Sequence, residues 1–250
     1  MNQSIERAFK IIKTLALHDN SELKIIEISK KTGLSSSTIY RFLKTLSKLN
    51  IIEKNSQNKK YRLTLELFRI GNSILINRNK NIVNYSIEQI RYLSKKYNET
   101  INLSTFEKNR VIYIYKITCT NSVKYDIAIG SEHPAYCTAT GKIFLAYRNE
   151  EFINSYFDKE RLVKYTKNTV IDKEKIKKGL KSVKLFGYAL DKNEYIEGSN
   201  CIAVPIIDFN NHVNYAISIS LPRVRLKSYN ISNVIDDLLK SAKDICEIIK

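Results

Sequence analysis

Apolar residues recur at helical spacing over residues 5–17, where Ala8, Ile11, Ile12 and Leu15 share one face and Glu6, Lys10 and Lys13 lie elsewhere on the turn. This is the pattern of an amphipathic helix, stopped near His18-Asp19-Asn20. A short second helix is expected at about 25–31, with Ile25, Ile26 and Ile28 as its inward candidates. It ends at Thr32-Gly33, where glycine suits a left-handed turn. Ser35, Ser36 and Ser37 then precede another periodic stretch and supply good N-cap chemistry. At about 100° per residue, Ile39, Phe42, Leu43, Leu46 and Leu49 fall on one face. Ser37, Arg41, Lys44 and Lys48 project from the opposite face, flanked by Thr38 and Tyr40. After Asn50, Ile51-Ile52-Glu53-Lys54, a polar tip from Asn55 to Lys60, and Tyr61-Arg62-Leu63-Thr64 predict a two-stranded hairpin with a basic tip.

Leu65, Leu67, Phe68, Ile70, Ile74 and Leu75 continue as a helix over 65–80 that runs into the polar stretch Asn77-Arg78-Asn79-Lys80-Asn81. No Pro/Gly-rich linker follows, so a helical connection is expected, one that transmits orientation rather than permitting free tumbling. The expected boundaries are an N-terminal domain over 1–66, a linker helix over 67–81 and a C-terminal domain over 82–250. Beyond this point a helix at 84–97 leads to strand-like runs at about 100–106, 110–117 and 122–129. Helices are expected from Ala139 and at about 149–157 and 172–185, and strands return at about 187–191, 200–208 and 213–221. A last amphipathic helix begins near residue 231, with Val234, Ile235, Leu238, Leu239, Ala242, Ile245 and Ile249 apolar. Paired strands with helices at either end argue for an α+β fold around a mostly antiparallel sheet.

Charge sharpens the picture of the N-terminal third. The 250 residues carry a formal net charge of +17, and the excess is mostly lysine, 31 Lys against 11 Arg. An Asn- and Ile-rich composition of this kind also follows from AT-rich coding, so distribution decides. Residues 1–80 hold 16 basic and 6 acidic side chains, a balance of +10, whereas the remaining 170 residues carry only +7. A basic head is the electrostatic footprint of a nucleic-acid module. Hydrophobic residues at 43% exclude wholesale disorder. No apolar run approaches the ~18–20 residues of a membrane span, and the N-terminus lacks signal-peptide features, so the expected compartment is the cytosol. Cys119, Cys137, Cys201 and Cys246 and the three histidines are scattered, so no disulfide framework, metal site or cofactor is expected.

Helix, short helix, glycine turn, capped helix and basic hairpin together make a winged helix-turn-helix. An α-helix fits the major groove, its N-terminal residues reach base edges, and small hydroxyl side chains permit close approach. The expected DNA contacts are therefore Ser35, Ser36, Ser37, Thr38, Tyr40, Arg41 and Lys44, with Lys59 and Lys60 of the hairpin tip on phosphate or in the minor groove.

Four segments in order carry a family resemblance. Ser4-Ile5-Glu6-Arg7-Ala8-Phe9-Lys10-Ile11 and Ser37-Thr38-Ile39-Tyr40-Arg41-Phe42-Leu43-Lys44-Thr45-Leu46 resemble the opening and recognition helices of the IclR family of bacterial transcriptional regulators. Thr140-Gly141-Lys142-Ile143-Phe144-Leu145-Ala146 resembles the family's A-x-G-K-A-x-L-A helix start. The stretch from Gly187-Tyr188-Ala189 through Asp191, Glu194 and Gly198 to Cys201-Ile202-Ala203-Val204-Pro205-Ile206 is similar to its most specific motif. Ala135-Tyr136 stands where leucine-histidine is usual after the proline. The resemblance implies a winged helix-turn-helix joined by a helix to a GAF-like sensing domain, assembled as a homodimer or homotetramer. It also implies a small organic-acid or aromatic effector and an operator-binding protein. Members both repress and activate, so the sign does not follow from the resemblance, and repression is the expectation adopted. By the same resemblance the effector pocket is formed by Ala139, Thr140, Gly141, Asp191, Cys201, Ser218 and Ser220, covered by residues around Val123 to Tyr125. Helix-start N–H groups suit a carboxylate, and Ser218 and Ser220, two apart on a strand, share a face.

Two rivals remain. An enzyme is disfavoured, since no nucleophile set, metal constellation or nucleotide fingerprint is present. A sensing protein whose basic head mediates protein–protein contact is the alternative, and salt-dependent DNA binding separates it from the regulator.

Overall fold

A computed structural model of the chain describes residues 2–17, 22–78 and 82–249, apart from the side chains of residues 72, 74–78 and 249. The expected stop at His18-Asp19-Asn20, the side chains of Ile74, Leu75 and Ile249, and the expected polar end at 77–81 fall outside that description, except for the backbone of residues 77 and 78. The chain divides into two compact units, Met1–Asn81 and Ile82–Lys250.

The N-terminal unit contains α1 (Gln3–Ala16), α2 (Ile25–Thr32), α3 (Ser36–Lys48), the strands β1 (Ile52–Lys54) and β2 (Tyr61–Leu63), and α4 (Glu66–Arg78). Ile11, Leu15, Leu23, Ile28, Ile39, Leu43, Leu46, Ile52 and Tyr61 form its core. Gly33 caps α2 at φ 70°, as the turn requires. Leu23 forms an isolated bridge to Tyr61, exchanging both backbone hydrogen bonds, so the β1–β2 hairpin is held at its base. Two inward expectations are corrected. Ile26 is 65% exposed, because so short a helix buries only the Ile25 and Ile28 side. Leu49 is 61% exposed, because it sits at the C-cap, where the chain leaves the helical face.

The C-terminal unit is built on a six-stranded, wholly antiparallel sheet. In chain order it comprises α5 (Ile82–Tyr97), β3 (Thr100–Glu107), β4 (Arg110–Ile117), β5 (Glu132–Pro134), α6 (Ala139–Ala146), α7 (Glu150–Lys159), α8 (Lys173–Phe186), β6 (Ala189–Lys192), β7 (Ser199–Ile207), β8 (Val213–Pro222), α9 (Arg223–Leu226) and α10 (Ile231–Ile249). The strand order is β5-β4-β3-β8-β7-β6. Side-chain alternation gives the sheet two unlike faces. On one, Ile101, Leu103, Ile202, Val204, Ile217 and Ile219 pack with α5 and α10 into a dry apolar core. On the other, α6 packs over small and polar residues of the sheet, with α8 against it and Phe144, Tyr156 and Phe157 in the same apolar cluster.

The strand expected at 122–129 does not form. β5 pairs with β4 only over Arg110–Ile112. Along the rest of that edge, among the described residues, the segment makes a single backbone bond, from the Gly130 N–H to the Tyr113 carbonyl at 2.7 Å. Side chains hold it instead: Lys116 pairs with Asp126 and donates to the Ile127 carbonyl, and the Tyr125 hydroxyl donates to the Glu197 carbonyl at 3.0 Å. All four cysteines are free thiols. Among the described residues no helix is long and apolar enough to cross a membrane, and no group of three or more His, Cys, Asp or Glu is placed to hold a metal.

Candidate DNA-binding face and effector cavity

In the N-terminal unit the inner face of α3 is spent on the core, and the outer face is bare. Ser36, Ser37, Tyr40, Arg41 and Lys44 are exposed. Ser35 is the N-cap: its hydroxyl accepts from the Thr38 N–H at 3.3 Å and meets the Thr38 and Ser37 hydroxyls at 2.8 and 3.1 Å. Thr38 is half-buried against that cap. Ser35 and Thr38 thus fix the start of the helix, while Ser36, Ser37, Tyr40, Arg41 and Lys44 point outward. Lys59 is exposed at the hairpin tip in the left-handed region, φ 58°, beside the half-buried Lys60. Glu22 braces that turn, accepting from Asn58 at 2.8 Å and from Asn55 at 3.5 Å, and pairs with Arg62.

In the C-terminal unit the strand register brings two polar rows together beneath α6. One row runs Asp191, Cys201, Ser220, Thr100 across β6, β7, β8 and β3. The next runs Ala189, Ala203, Ser218, Asn102 across the same strands. All these side chains are buried except that of Cys201, which is half-buried. Ala139, Asp191, Cys201 and Ser220 line a closed cavity of about 20 Å³ together with Tyr113, Ile127, Thr138, Tyr195, Ile196 and Ser199. Thr138 caps α6, accepting from the Gly141 N–H at 3.2 Å, which leaves the Ala139 and Thr140 N–H groups without an acceptor within the helix.

Three buried polar atoms here lack a well-formed partner: Thr140 Oγ1, Ser218 Oγ and Asn102 Oδ1. The Tyr113 hydroxyl faces Thr140 and the Cys201 thiol faces Ser218 and Ser220, but neither Thr140 nor Ser218 closes a hydrogen bond of good geometry. Asn102 donates to the Ser220 hydroxyl at 3.2 Å. Such groups are costly to bury unpaired, and three of them cluster here.

Burial pushes the Asp191 carboxyl up to about 7; the Glu194 N–H, which it accepts at 2.7 Å, and the nearby Lys142 ammonium oppose that rise. Lys142 itself pairs with Glu194 and donates to the Leu190 carbonyl at 2.9 Å. Burial likewise raises the Cys201 thiol to about 12, so it is a wall and not a nucleophile. Because the native Asp191 carboxyl keeps its proton above the unfolded value of 3.8, the folded state binds more protons between about pH 4 and 7. Stability therefore falls as the pH rises through that window and stays low above it. Asp191→Asn, which retains an acceptor for Glu194, is expected to be more stable than wild type at pH 8 and no more stable at pH 4.5. Urea melts at both pH values check this; an equal difference at both would mean that Asp191 does not titrate there.

Of the residues expected in the pocket, Thr140 and Ser218 are buried beside the cavity without lining it, and Val123, Tyr125 and Gly141 lie elsewhere. Val123 is 56% exposed, with its carbonyl accepting from Arg225 at 2.8 Å; Ile127, further along the same segment, reaches the cavity instead. Gly141 faces away from the cavity, against Ala135, where an added Cβ would lie 2.3 Å from the Ala135 backbone. Tyr125 covers from outside, anchored on Glu197. Tyr136 is buried with its hydroxyl bound to both Val163 backbone groups, at 2.7 and 2.8 Å, so it serves packing.

Known proteins resemble this chain along nearly its whole length. Residues 4–56 match the IclR helix-turn-helix domain, and residues 76–247 match the bacterial transcriptional regulator IclR C-terminal domain. The regulator KdgR of Escherichia coli is 32% identical over 242 residues, 97% of this chain and 90% of that protein. The chain belongs to the IclR family. It is a DNA-binding transcriptional regulator of that family, with the family's C-terminal domain. The E. coli DNA-binding transcriptional repressor YiaJ, 31% identical over 247 residues, covers 98% of this chain and 86% of that protein. The Thermotoga maritima IclR structure superposes with a TM-score of 0.82 at 25% identity, covering 100% and 99% of the two chains. An IclR homologue from Microbacterium hydrocarbonoxydans, complexed with 4-hydroxybenzoate, shares the fold with a TM-score of 0.84 at 19% identity, over 98% of each chain. For this IclR-family chain, the cavity residues that periodicity alone misses are Tyr113, Ile127, Thr138, Tyr195, Ile196 and Ser199.

Proposed function

We propose that this regulator represses transcription from an operator read by α3, and that a small organic-acid or aromatic effector in the cavity beneath α6 modulates its affinity for DNA. The bare outer face of α3 carries the first half of the reading: Arg41 and Lys44 stand exposed beside a capped helix N-terminus, opposite a fully used core face. Support for the second half is the cluster of unpartnered Thr140, Ser218 and Asn102 atoms beside the Ala139 and Thr140 N–H groups. Protonated Asp191 would donate to a ligand oxygen, which removes its conflict with an anionic effector. The 20 Å³ cavity holds no more than a water, so effector entry displaces the 118–131 segment. The domain division at 66/67 and 81/82, the GAF-like sensing role, the cytosolic location and the absence of catalysis belong to the same reading. The complexes of relatives, 4-hydroxybenzoate among them, set the ligand size this cavity would have to open to admit.

Fluorescence anisotropy on DNA from upstream of the chain's own gene tests the reading. Binding should weaken steeply with salt, and Arg41→Ala should cost roughly 1–3 kcal/mol on that DNA if it reads a base. Lys59→Ala with Lys60→Ala should instead weaken binding on every sequence and flatten the salt slope. No binding at low salt would favour a protein-interaction head.

Dimerisation belongs to the proposal as well. Ile5 and Phe9 on α1 and Leu65, Phe68 and Ile70 at the start of α4 are large apolar side chains left exposed. A second copy covering them would set two recognition helices on half-sites ~34 Å apart or a multiple of it. Phe9→Ser with Phe68→Ser is expected to yield monomers in sedimentation velocity; a wild-type chain that is itself monomeric with and without DNA would sink the idea.

A further inference from the structure

A groove runs along the sheet edge between α8 and β6, and shares no lining residue with the cavity beneath α6. It encloses about 450 Å³, within the range of small-molecule sites. Ile176, Leu180 and Val183 of α8 and Leu190 of β6 make its apolar walls, and Phe186 closes one end. Lys175 and Lys192 stand exposed at its rim, and neither has an ion-pair partner among the described residues. Glu194, the acidic residue of the lining, is already neutralised by Lys142. The net field at the rim is therefore positive over an apolar floor.

A second observation points the same way. Gly179 stands in the middle of α8, where glycine is the least favourable residue short of proline. Its backbone is helical, and an added Cβ would meet nothing within 4 Å. Neither a turn nor a close packing contact calls for glycine there. What the missing side chain does is widen the groove that Gly179 lines.

We propose that the groove between α8 and β6 is a second small-molecule site, distinct from the cavity beneath α6, which takes an amphipathic monocarboxylate with its apolar body along Leu180 and Val183 and its carboxylate between Lys175 and Lys192. The site touches the first one through Lys142, which lines the groove while holding Glu194 and the Leu190 carbonyl. Glu194 in turn donates its N–H to Asp191.

Octanoate, titrated calorimetrically into the full-length chain, tests this. Binding is expected, and Gly179→Leu should weaken it at least tenfold while leaving the thermal midpoint within a degree or two, since the added side chain enters open space. Lys175→Gln with Lys192→Gln should also weaken octanoate, but should leave uncharged octanamide unaffected. Thr140→Val with Ser218→Ala, in the other cavity, should leave octanoate binding intact. No octanoate binding, or equal binding by Gly179→Leu, overturns the proposal. So does a change of sedimentation coefficient in Gly179→Leu, which would make the groove an interface between copies of the chain.

Discussion

Gly141→Ala is expected to destabilise the C-terminal unit by about 3 kcal/mol or more, the upper end of what overpacking costs. The new methyl would lie 2.3 Å from the Cα and carbonyl oxygen of Ala135. Both are backbone atoms, so no side-chain rotation relieves the clash. Either α6 lifts from the segment after β5 or that segment moves, and in both cases Tyr136, Phe144 and Cys137 lose their packing. Urea unfolding with probes in each unit reads the effect: the transition of the C-terminal unit should shift to lower denaturant, and that of the N-terminal unit should not. An unshifted midpoint would show that α6 does not pack so closely. The resemblance made Gly141 a ligand contact; the structure makes it a spacer that lets the α6 N-terminus approach the sheet.

Arg225→Ala should produce the second large loss, about 3 kcal/mol. Glu99 is fully buried at the start of β3, and its carboxylate is held by the Arg225 fork at 2.6 and 2.8 Å and by the Tyr229 hydroxyl at 2.8 Å. Removing the arginine strands a buried negative charge with one donor. The same guanidinium donates to the Val123 carbonyl, so its loss also frees the segment that covers the cavity. Thermal unfolding should fall, and limited proteolysis should open first within 118–131. A double change of Glu99→Gln and Arg225→Met should recover most of the stability, because it removes the buried charge along with its partner. If Arg225→Ala melts like wild type, the ion pair is solvated in solution.

Much of the N-terminal unit was legible because its elements obey one period each. The α3 face pattern placed Arg41 and Lys44 outward and Ile39, Leu43 and Leu46 inward, as found. Periodicity fails where an element is too short to fix its own rotation, hence Ile26, and where it has just ended, hence Leu49. At 122–129 the alternation of Val123, Tyr125, Ile127 and Ile129 mimics a strand. Strand formation needs backbone pairing with a neighbour, and here side-chain bonds from Lys116 and Tyr125 hold the segment instead, contacts that are not written in the segment itself. The cavity was legible only in part for a related reason. Ser218 and Ser220 follow from their spacing on one strand, whereas Asn102 and Tyr113 join them through pairings across β3, β4 and β8 that no local pattern encodes. Asn102 and Ser104 alternate with apolar residues on β3 and are nonetheless buried, because helices cover both sides of the sheet.

The unlike faces of that sheet have a consequence for how such a protein changes over generations. Along β8, Ile217 and Ile219 point into the dry core with α5 and α10, while Ser218 and Ser220 point the other way. The burial that makes the strand fold therefore resides in one set of residues, and the hydroxyl chemistry in an interleaved set. A substitution in the polar rows replaces one small side chain with another and leaves the apolar packing untouched. Lineages can trade hydroxyl, amide and thiol at these positions and acquire a new chemical preference, with the scaffold's foldability held in reserve on the far side of the same strands.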